Sequence, residues 1–174
     1  MKDLNTFNFI NSLNESKKMS LNEDLEGQEI TSPSGKFYVG DPCYILSDDI
    51  YYGVWEEKFN FADGKIQVDD NLAFIVHSTA YGDGAYFGTN GFTYGVDSGT
   101  LAVVPVELIS NTNGVKSGTI ENSKTAKLEY NNGIFDIILD NSSFSIITSE
   151  EEEEDEDDSD YWDEEDNTDY LDEE

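Results

Sequence analysis

The chain has 174 residues and sets 39 Asp and Glu against nine Lys and Arg, a net charge of −30 at neutral pH, with room for one domain of ordinary size. Binding nucleic acid directly through phosphates needs a basic face, which nine scattered bases in so acidic a chain do not supply. The single cysteine excludes an internal disulfide and a cysteine-based zinc cluster.

Residues 3–18 are predicted to form a short amphipathic helix, because Leu4, Phe7, Ile10 and Leu13 recur every third residue among Asn, Ser, Glu and Lys. A helix this short is marginal alone in water, so it is expected either to dock on something or to stay mobile. The sequence Ser-Leu-Asn-Glu occurs twice, at 12–15 and 20–23, and residues 19–33 read as a polar linker ending at Pro33-Ser34-Gly35. The N-terminus lacks a signal-peptide apolar core. No apolar run approaches the roughly 20 residues of a bilayer-spanning helix, so a soluble intracellular protein is expected.

A globular domain is predicted over residues 34–149. Its first strand, 36–39, ends at Gly40-Asp41-Pro42, where proline cannot donate to a ladder and turns the chain. Ser47 followed by Asp48 and Asp49 marks a helix start, with a capping hydroxyl and acids at the positive end of the dipole. That helix should run through Ile50, Tyr51, Val54 and Trp55, with Gly53 as a weak point. Strands follow at 65–68 and 72–77, the second a nearly continuous apolar run of the kind buried on both faces. The Asn90-Gly91 pair predicts a hairpin between 85–88 and 93–96. Residues 101–106 form the next strand, with Pro105 marking its end or a sheet edge. Strands at 126–130, 134–139 and 144–148 make an antiparallel meander. The expected fold is a mainly antiparallel β-sandwich or barrel of about eight strands and one helix. Residues 150–174 hold 18 acids and no Lys or Arg, cannot build a core and are expected to be disordered.

Chemistry-bearing residues collect at strand ends. The only histidine, His77, is followed closely by Thr79-Ala80-Tyr81-Gly82-Asp83-Gly84, and two further segments, Gly40-Asp41-Pro42-Cys43-Tyr44 and Val96-Asp97-Ser98-Gly99, are expected to join it in one site. A thiol hydrolase would use Cys43 as nucleophile, His77 as base and Asp41, Asp83 or Asp97 as the orienting carboxylate. A metal centre would take His77 with Asp41, Asp83 and Asp97, a set suited to manganese, iron or zinc. Against both stand ordinary roles: free cysteine is among the most buried residue types, and Asp in Gly-Asp-Gly or Asp-Ser-Gly commonly caps turn amides. No cofactor is therefore expected. The aromatic group Tyr81, Tyr86, Phe87, Phe92 and Tyr94 reads chiefly as alternate faces of a sandwich, and otherwise as a ligand groove.

In their order, Gly-Asp-Pro-Cys-Tyr at 40–44, Thr-Ala-Tyr-Gly-Asp-Gly at 79–84 and Val-Asp-Ser-Gly at 96–99, followed by Leu-Ala-Val-Val-Pro-Val-Glu-Leu at 101–108, the chain resembles a group of small uncharacterised proteins of tailed phages and bacteria. The resemblance covers roughly residues 35–108. It implies a phage or prophage setting, and implies that Asp41, Cys43, Tyr44, Asp83, Asp97 and Gly99 belong to the recurring part of the domain. The N-terminus separately resembles the capsid-targeting segments of internal head proteins in large tailed phages, which a prohead protease cuts after Leu-x-Glu. Leu13-Asn14-Glu15 and Leu21-Asn22-Glu23 fit that pattern, making Glu15 and Glu23 the implied processing positions.

Three functions follow as expectations. The first is a non-enzymatic phage protein in the host cytoplasm or the virion, meeting basic surfaces of phage-head or host proteins and neither nucleic acid nor membrane. The second is the small hydrolase. The third is an inhibitor whose acidic tail mimics nucleic acid toward a host enzyme, with Tyr161, Trp162, Tyr170 and Leu171 as apolar anchors.

Overall fold

A computed structural model describes residues 28–149. The predicted N-terminal helix, the linker up to residue 27, Glu15, Glu23 and the acidic tail lie outside the described residues.

Eleven strands form two antiparallel sheets. In chain order they are β1 (Glu29–Thr31), β2 (Lys36–Gly40), β3 (Gly64–Gln67), β4 (Ala73–Ser78), β5 (Gly84–Gly88), β6 (Thr93–Val96), β7 (Thr100–Pro105), β8 (Thr119–Asn122), β9 (Thr125–Asn131), β10 (Ile134–Leu139) and β11 (Ser143–Ile147). The first sheet has the order β1-β9-β10-β11-β5-β6 and the second β3-β4-β7-β2-β8. The sandwich expectation holds, with eleven strands where about eight are expected; the two that the patterning does not register are β1 and β8. β1 has one buried apolar side chain, Ile30, and β8 leaves its only one, Ile120, exposed, so neither alternates in a way that hydropathy detects. β1 also shortens the expected linker: residues 29–31 pair with β9 and place Ile30 in the core.

The expected turns are where the sequence places them. Asn132 and Gly133 both take positive φ, 48° and 82°, between the paired residues Asn131 and Ile134, which is a type I′ hairpin. At Thr89-Asn90-Gly91 the β5–β6 hairpin closes with Gly88 N–H donating to the Phe92 carbonyl at 2.8 Å. Pro105 ends β7, a central strand of its sheet.

The core has two layers, which explains the continuous apolar run of β4. Ala73 and Ile75 face the first sheet, joining Phe37, Val39, Leu101 and Val103 against Leu128, Phe135, Ile137 and Ile146. Phe74 and Val76 point the other way, with Tyr38, Ala102 and Val104, into a second cluster closed by a helix. That helix, α1, is α-helical at Asp48–Ile50, π-helical at Tyr51–Glu56 and α-helical at Glu57–Phe59. The Ser47 hydroxyl caps it by accepting from Ile50 N–H, with Asp48 and Asp49 in the first turn.

Trp55 anchors α1 and is 1% exposed. Its ring makes edge-to-face contacts with Phe74 at 6.0 Å, Tyr51 at 5.2 Å and Phe61 at 5.0 Å, and its indole N–H donates to the Ala62 carbonyl at 3.0 Å. The helix ends with Asn60 and Phe61 in the left-handed region, and Phe61 N–H reaches back six residues to the Trp55 carbonyl at 3.1 Å. Among the described residues no helix is long and apolar enough to cross a membrane.

Candidate functional site

Antiparallel pairing brings the first and third motifs together. Gly40, at the end of β2, lies opposite Ala102 in β7, so Asp41 sits beside the loop that leads into β7. Asp41 is fully buried. One carboxylate oxygen accepts the N–H groups of Asp97 at 2.7 Å and Ser98 at 2.8 Å. The other accepts the Ser98 hydroxyl at 2.7 Å and the Cys43 N–H at 2.8 Å. Four donors use the whole acceptor capacity of a carboxylate. The Ser98 hydroxyl in turn accepts from the Thr100 hydroxyl at 2.7 Å, and the Tyr44 phenol donates to Asp97.

The second motif reaches this hub through Gly99. Thr79 N–H donates to the Gly99 carbonyl at 2.9 Å, while the Thr79 hydroxyl and the Tyr86 phenol both donate to the Gly82 carbonyl, at 2.6 and 2.8 Å. Gly82 and Gly99 both take positive φ, and a Cβ on Gly99 would lie 3.4 Å from the Gly82 Cα, so the two turns meet where side chains are missing. The three motifs do converge, through backbone and hydroxyl groups. Asp83 is the exception: its side chain is exposed, beside Gly99, and among the described residues it makes no metal-holding group with Asp41 and Asp97. The expectation that the turn seats Asp83 beside the other two carboxylates is corrected accordingly.

The expected Cys43–His77 pair is not assembled. His77 continues the 73, 75, 77 alternation of β4 and faces the first sheet, where its ring stacks on Tyr130 with centroids 3.7 Å apart and meets the edge of Phe135. Cys43 lies on the helix side of the second sheet, in the short 3-10 turn Pro42–Tyr44 near Tyr38 and Tyr51. His77 Nδ1–H donates to the Ser78 carbonyl at 2.8 Å, and Nε2 stands 3.5 Å from the Asp63 carboxylate. Nδ1 thus faces the Ser78 carbonyl and Nε2 faces Asp63, so neither nitrogen is turned toward Cys43. The proposed metal set is likewise dispersed: His77 points away from Asp41, whose oxygens are already engaged. Among the described residues no group of three or more His, Cys, Asp or Glu is placed to hold a metal ion.

The electrostatics of the hub favour neutral side chains. Burial pushes the Cys43 thiol well above its ordinary range, helped by the adjoining Asp41 carboxylate and by the negative charge of Asp97. Donation to Asp97 raises the Tyr44 phenol, and burial followed by the Asp41 charge raises Tyr38. Burial and the nearby Cys43 and Asp41 push Tyr51 up to about 12. The Tyr38 and Tyr44 phenols donate hydrogen bonds to the Asp41 carbonyl and to Asp97, and a thiol raised in this way is a poor nucleophile at neutral pH.

Three contributors escape sequence reading. Asp63 holds the end of β4 by accepting from Ser78 N–H and Ser78 hydroxyl, each at 2.9 Å, although Asp63-Gly64 reads only as a turn. Glu107, inside the 101–108 segment, accepts from Ser34 N–H at 2.6 Å and the Ser32 hydroxyl at 3.0 Å and so pins the turn between β1 and β2. Tyr51 reaches the hub from the π-helical segment. Of the aromatic group, Tyr94 is buried, Tyr86 and Phe92 pack on the core, and Tyr81 and Phe87 are exposed. An open cleft of ≈ 180 Å³ lies between the sheets beside His77 and Tyr130, over Ile75 and Leu128.

The fold and hub together define a three-layer protein, two antiparallel sheets and a helix, organised around a buried, hydrogen-bonded aspartate. Compared with known protein families, curated proteins and solved structures, the chain matches none.

Proposed function

We propose that the chain is a non-enzymatic binding protein of a tailed phage, carried in or around the head, with the sandwich as its folded binding domain. The observation that carries this reading is the saturation of Asp41. Its carboxylate meets four donors from its own chain, so the motif cluster spends its central charged group on holding loops together. The strongly acidic segment 150–174 would meet basic surfaces of head or host proteins, an attraction that salt screens.

Two measurements test the two halves of the proposal. Mass spectrometry of purified virions should find the protein in particles, with a new N-terminus at Ser16 or Asp24 from cleavage after Glu15 or Glu23; absence from particles sinks the packaging half. Native protein treated with iodoacetamide near pH 8 should alkylate Cys43 far more slowly than the unfolded chain does. Rapid alkylation that disappears in His77→Ala would reinstate the thiol hydrolase.

A further inference from the structure

A strand at the edge of a sheet presents backbone N–H and C=O groups that its one neighbour does not use, and proteins shield such edges with charge, proline or brevity. The first sheet has two edges, β1 and β6. β1 is three residues long and carries Glu29, whereas β6, Thr93-Tyr94-Gly95-Val96, has no charge and no proline.

Hydrogen-bond phase decides which groups of β6 are free. The β5–β6 hairpin closes with Gly88 N–H on the Phe92 carbonyl, and antiparallel bonding alternates from there, so Tyr94 opposite Tyr86 and Val96 opposite Gly84 are bonded to β5. Thr93, Gly95 and Asp97 turn their N–H groups the other way. Asp97 N–H agrees with that phase, because it donates to the Asp41 carboxylate of the hub. Among the described residues nothing pairs with the backbone N–H or C=O of Thr93 or Gly95. The approach is also clear: a Cβ built on Gly95 meets no atom within 4 Å.

The surroundings of this edge define what fits it. β9 packs over β4 and β7, and β6 packs over β2, so β8, the strand beyond β2, flanks the open side of β6. The Tyr94 phenol crosses the layers to the Thr119 hydroxyl at 3.1 Å. Pairing with Val39 and Phe37 puts Thr119 and Glu121 of β8 on the inner face. Burial raises the Tyr94 phenol and the charge of Glu121 adds to it, which places that carboxylate near the Tyr94 ring. Among the described residues Glu121 forms no ion pair. On the outer face, Phe87 stands opposite Thr93 and is 58% exposed. A strand laid along β6 therefore turns one side chain inward to Glu121 and its neighbours outward beside Phe87 and the bare Gly95.

We infer that the open edge of β6 takes an extended peptide of a partner protein as an added strand. The peptide bonds to the backbone of Thr93 and Gly95, with apolar side chains outward beside Phe87 and a Lys or Arg inward toward Glu121. A second copy fits less well, because its own β6 would bring the uncharged Tyr94 to the inward position and leave Glu121 without a counter-charge. The inference rests on reading the sandwich as a binding domain and not on packaging, so absence of the protein from virions would leave it standing.

Peptide titration followed by amide NMR tests it. The probe is acetyl-Thr-Val-Lys-Val-Thr amide, brought to millimolar concentration with isotope-labelled full-length protein at low ionic strength. The amide signals of Thr93 and Gly95 should shift most and their hydrogen exchange should slow. Replacing the central Lys of the peptide by Glu should weaken binding about fivefold or more, and Glu121→Gln should bring the two peptides close together. Methylating both Val nitrogens should abolish binding by removing the donors to the Thr93 and Gly95 carbonyls. Thr93 and Gly95 signals that stay in place overturn the inference, as do shifts centred elsewhere or equal affinity for the Lys and Glu peptides. Equally contrary would be Thr93 and Gly95 amides that respond to dilution, or exchange slowly before peptide is added, since a second copy or the chain itself then fills the edge. The two peptides are compared on the unaltered protein, so the comparison decides the matter even if Glu121→Gln folds poorly.

Discussion

Asp41→Ala is expected to destabilise the domain by about 4 kcal/mol, the largest effect of any single change in the hub. The substitution strands the N–H groups of Cys43, Asp97 and Ser98 and one partner of the Ser98 hydroxyl in a fully buried site. Each orphaned buried donor costs about 1–3 kcal/mol, and the Ser98 hydroxyl recovers part of its loss by turning to Thr100. Asp41→Asn keeps one acceptor oxygen but points an amide N–H₂ at donors, so it should fall between the alanine variant and the unaltered chain. Guanidinium unfolding with an unchanged slope is the appropriate measurement. With total stabilities of about 5–15 kcal/mol typical of such domains, the alanine variant should fold at low temperature and unfold well below the parent midpoint. A loss under about 1 kcal/mol would mean that the four hydrogen bonds contribute little.

Trp55→Ala should cost about 3–5 kcal/mol, the range for removing a fully buried large aromatic side chain. The loss has three sources: the cavity left over Phe74, the edge-to-face contacts with Tyr51 and Phe61, and the hydrogen bond that holds Ala62. Because Trp55 closes α1 onto the second sheet, the local consequence should exceed the global one. Native-state hydrogen exchange should show the α1 amides opening at far lower cost than those of β4 and β7, which are also held by the inner core. Trp55→Phe should retain most of the packing and lose mainly the Ala62 contact, a smaller change of about 1 kcal/mol. Uniform loss of protection across α1, β4 and β7 would show that the outer layer is not a separate packing unit.

These two effects follow from features that the sequence reveals unequally. Strands with alternating or continuous apolar residues, such as β4 and β10, are legible because burial on one or both faces writes itself into the residue pattern. The Asn132-Gly133 and Asn90-Gly91 turns are legible because their backbone needs residues that tolerate positive φ. β1 and β8 are not, since their pairing rests on neighbouring strands rather than on their own side chains. Nor is the sheet order legible: β11 pairs with β5 across about half of the domain, and no local signal records that choice.

The site shows the same division. That Asp41, Ser98 and Gly99 belong together is suggested by their motifs, but Asp41 and Ser98 stand 57 positions apart, and only the register of β2 against β7 brings them into contact. Residue types alone made Asp83 equivalent to Asp41 and Asp97, yet the Gly82 turn leaves its carboxylate in solvent. Alternation along β4 does place His77 on the face of Ile75, but which face carries Cys43 depends on where α1 packs. Trp55 itself reads only as one apolar position of a glycine-weakened helix, although it is the side chain that makes the third layer.

The central claim is that the converging motifs form one internal hydrogen-bonded unit, and a double-mutant cycle between Asp41 and Ser98 tests it most directly. Asp41→Ala, Ser98→Ala and the combined variant should give a coupling of about 1.5 kcal/mol or more, because each single change removes the bond between the Ser98 hydroxyl and the Asp41 carboxylate. Losses that add to within about 0.5 kcal/mol would contradict the account, leaving Asp41 and Ser98 as independent neighbours and the motif cluster without its structural role.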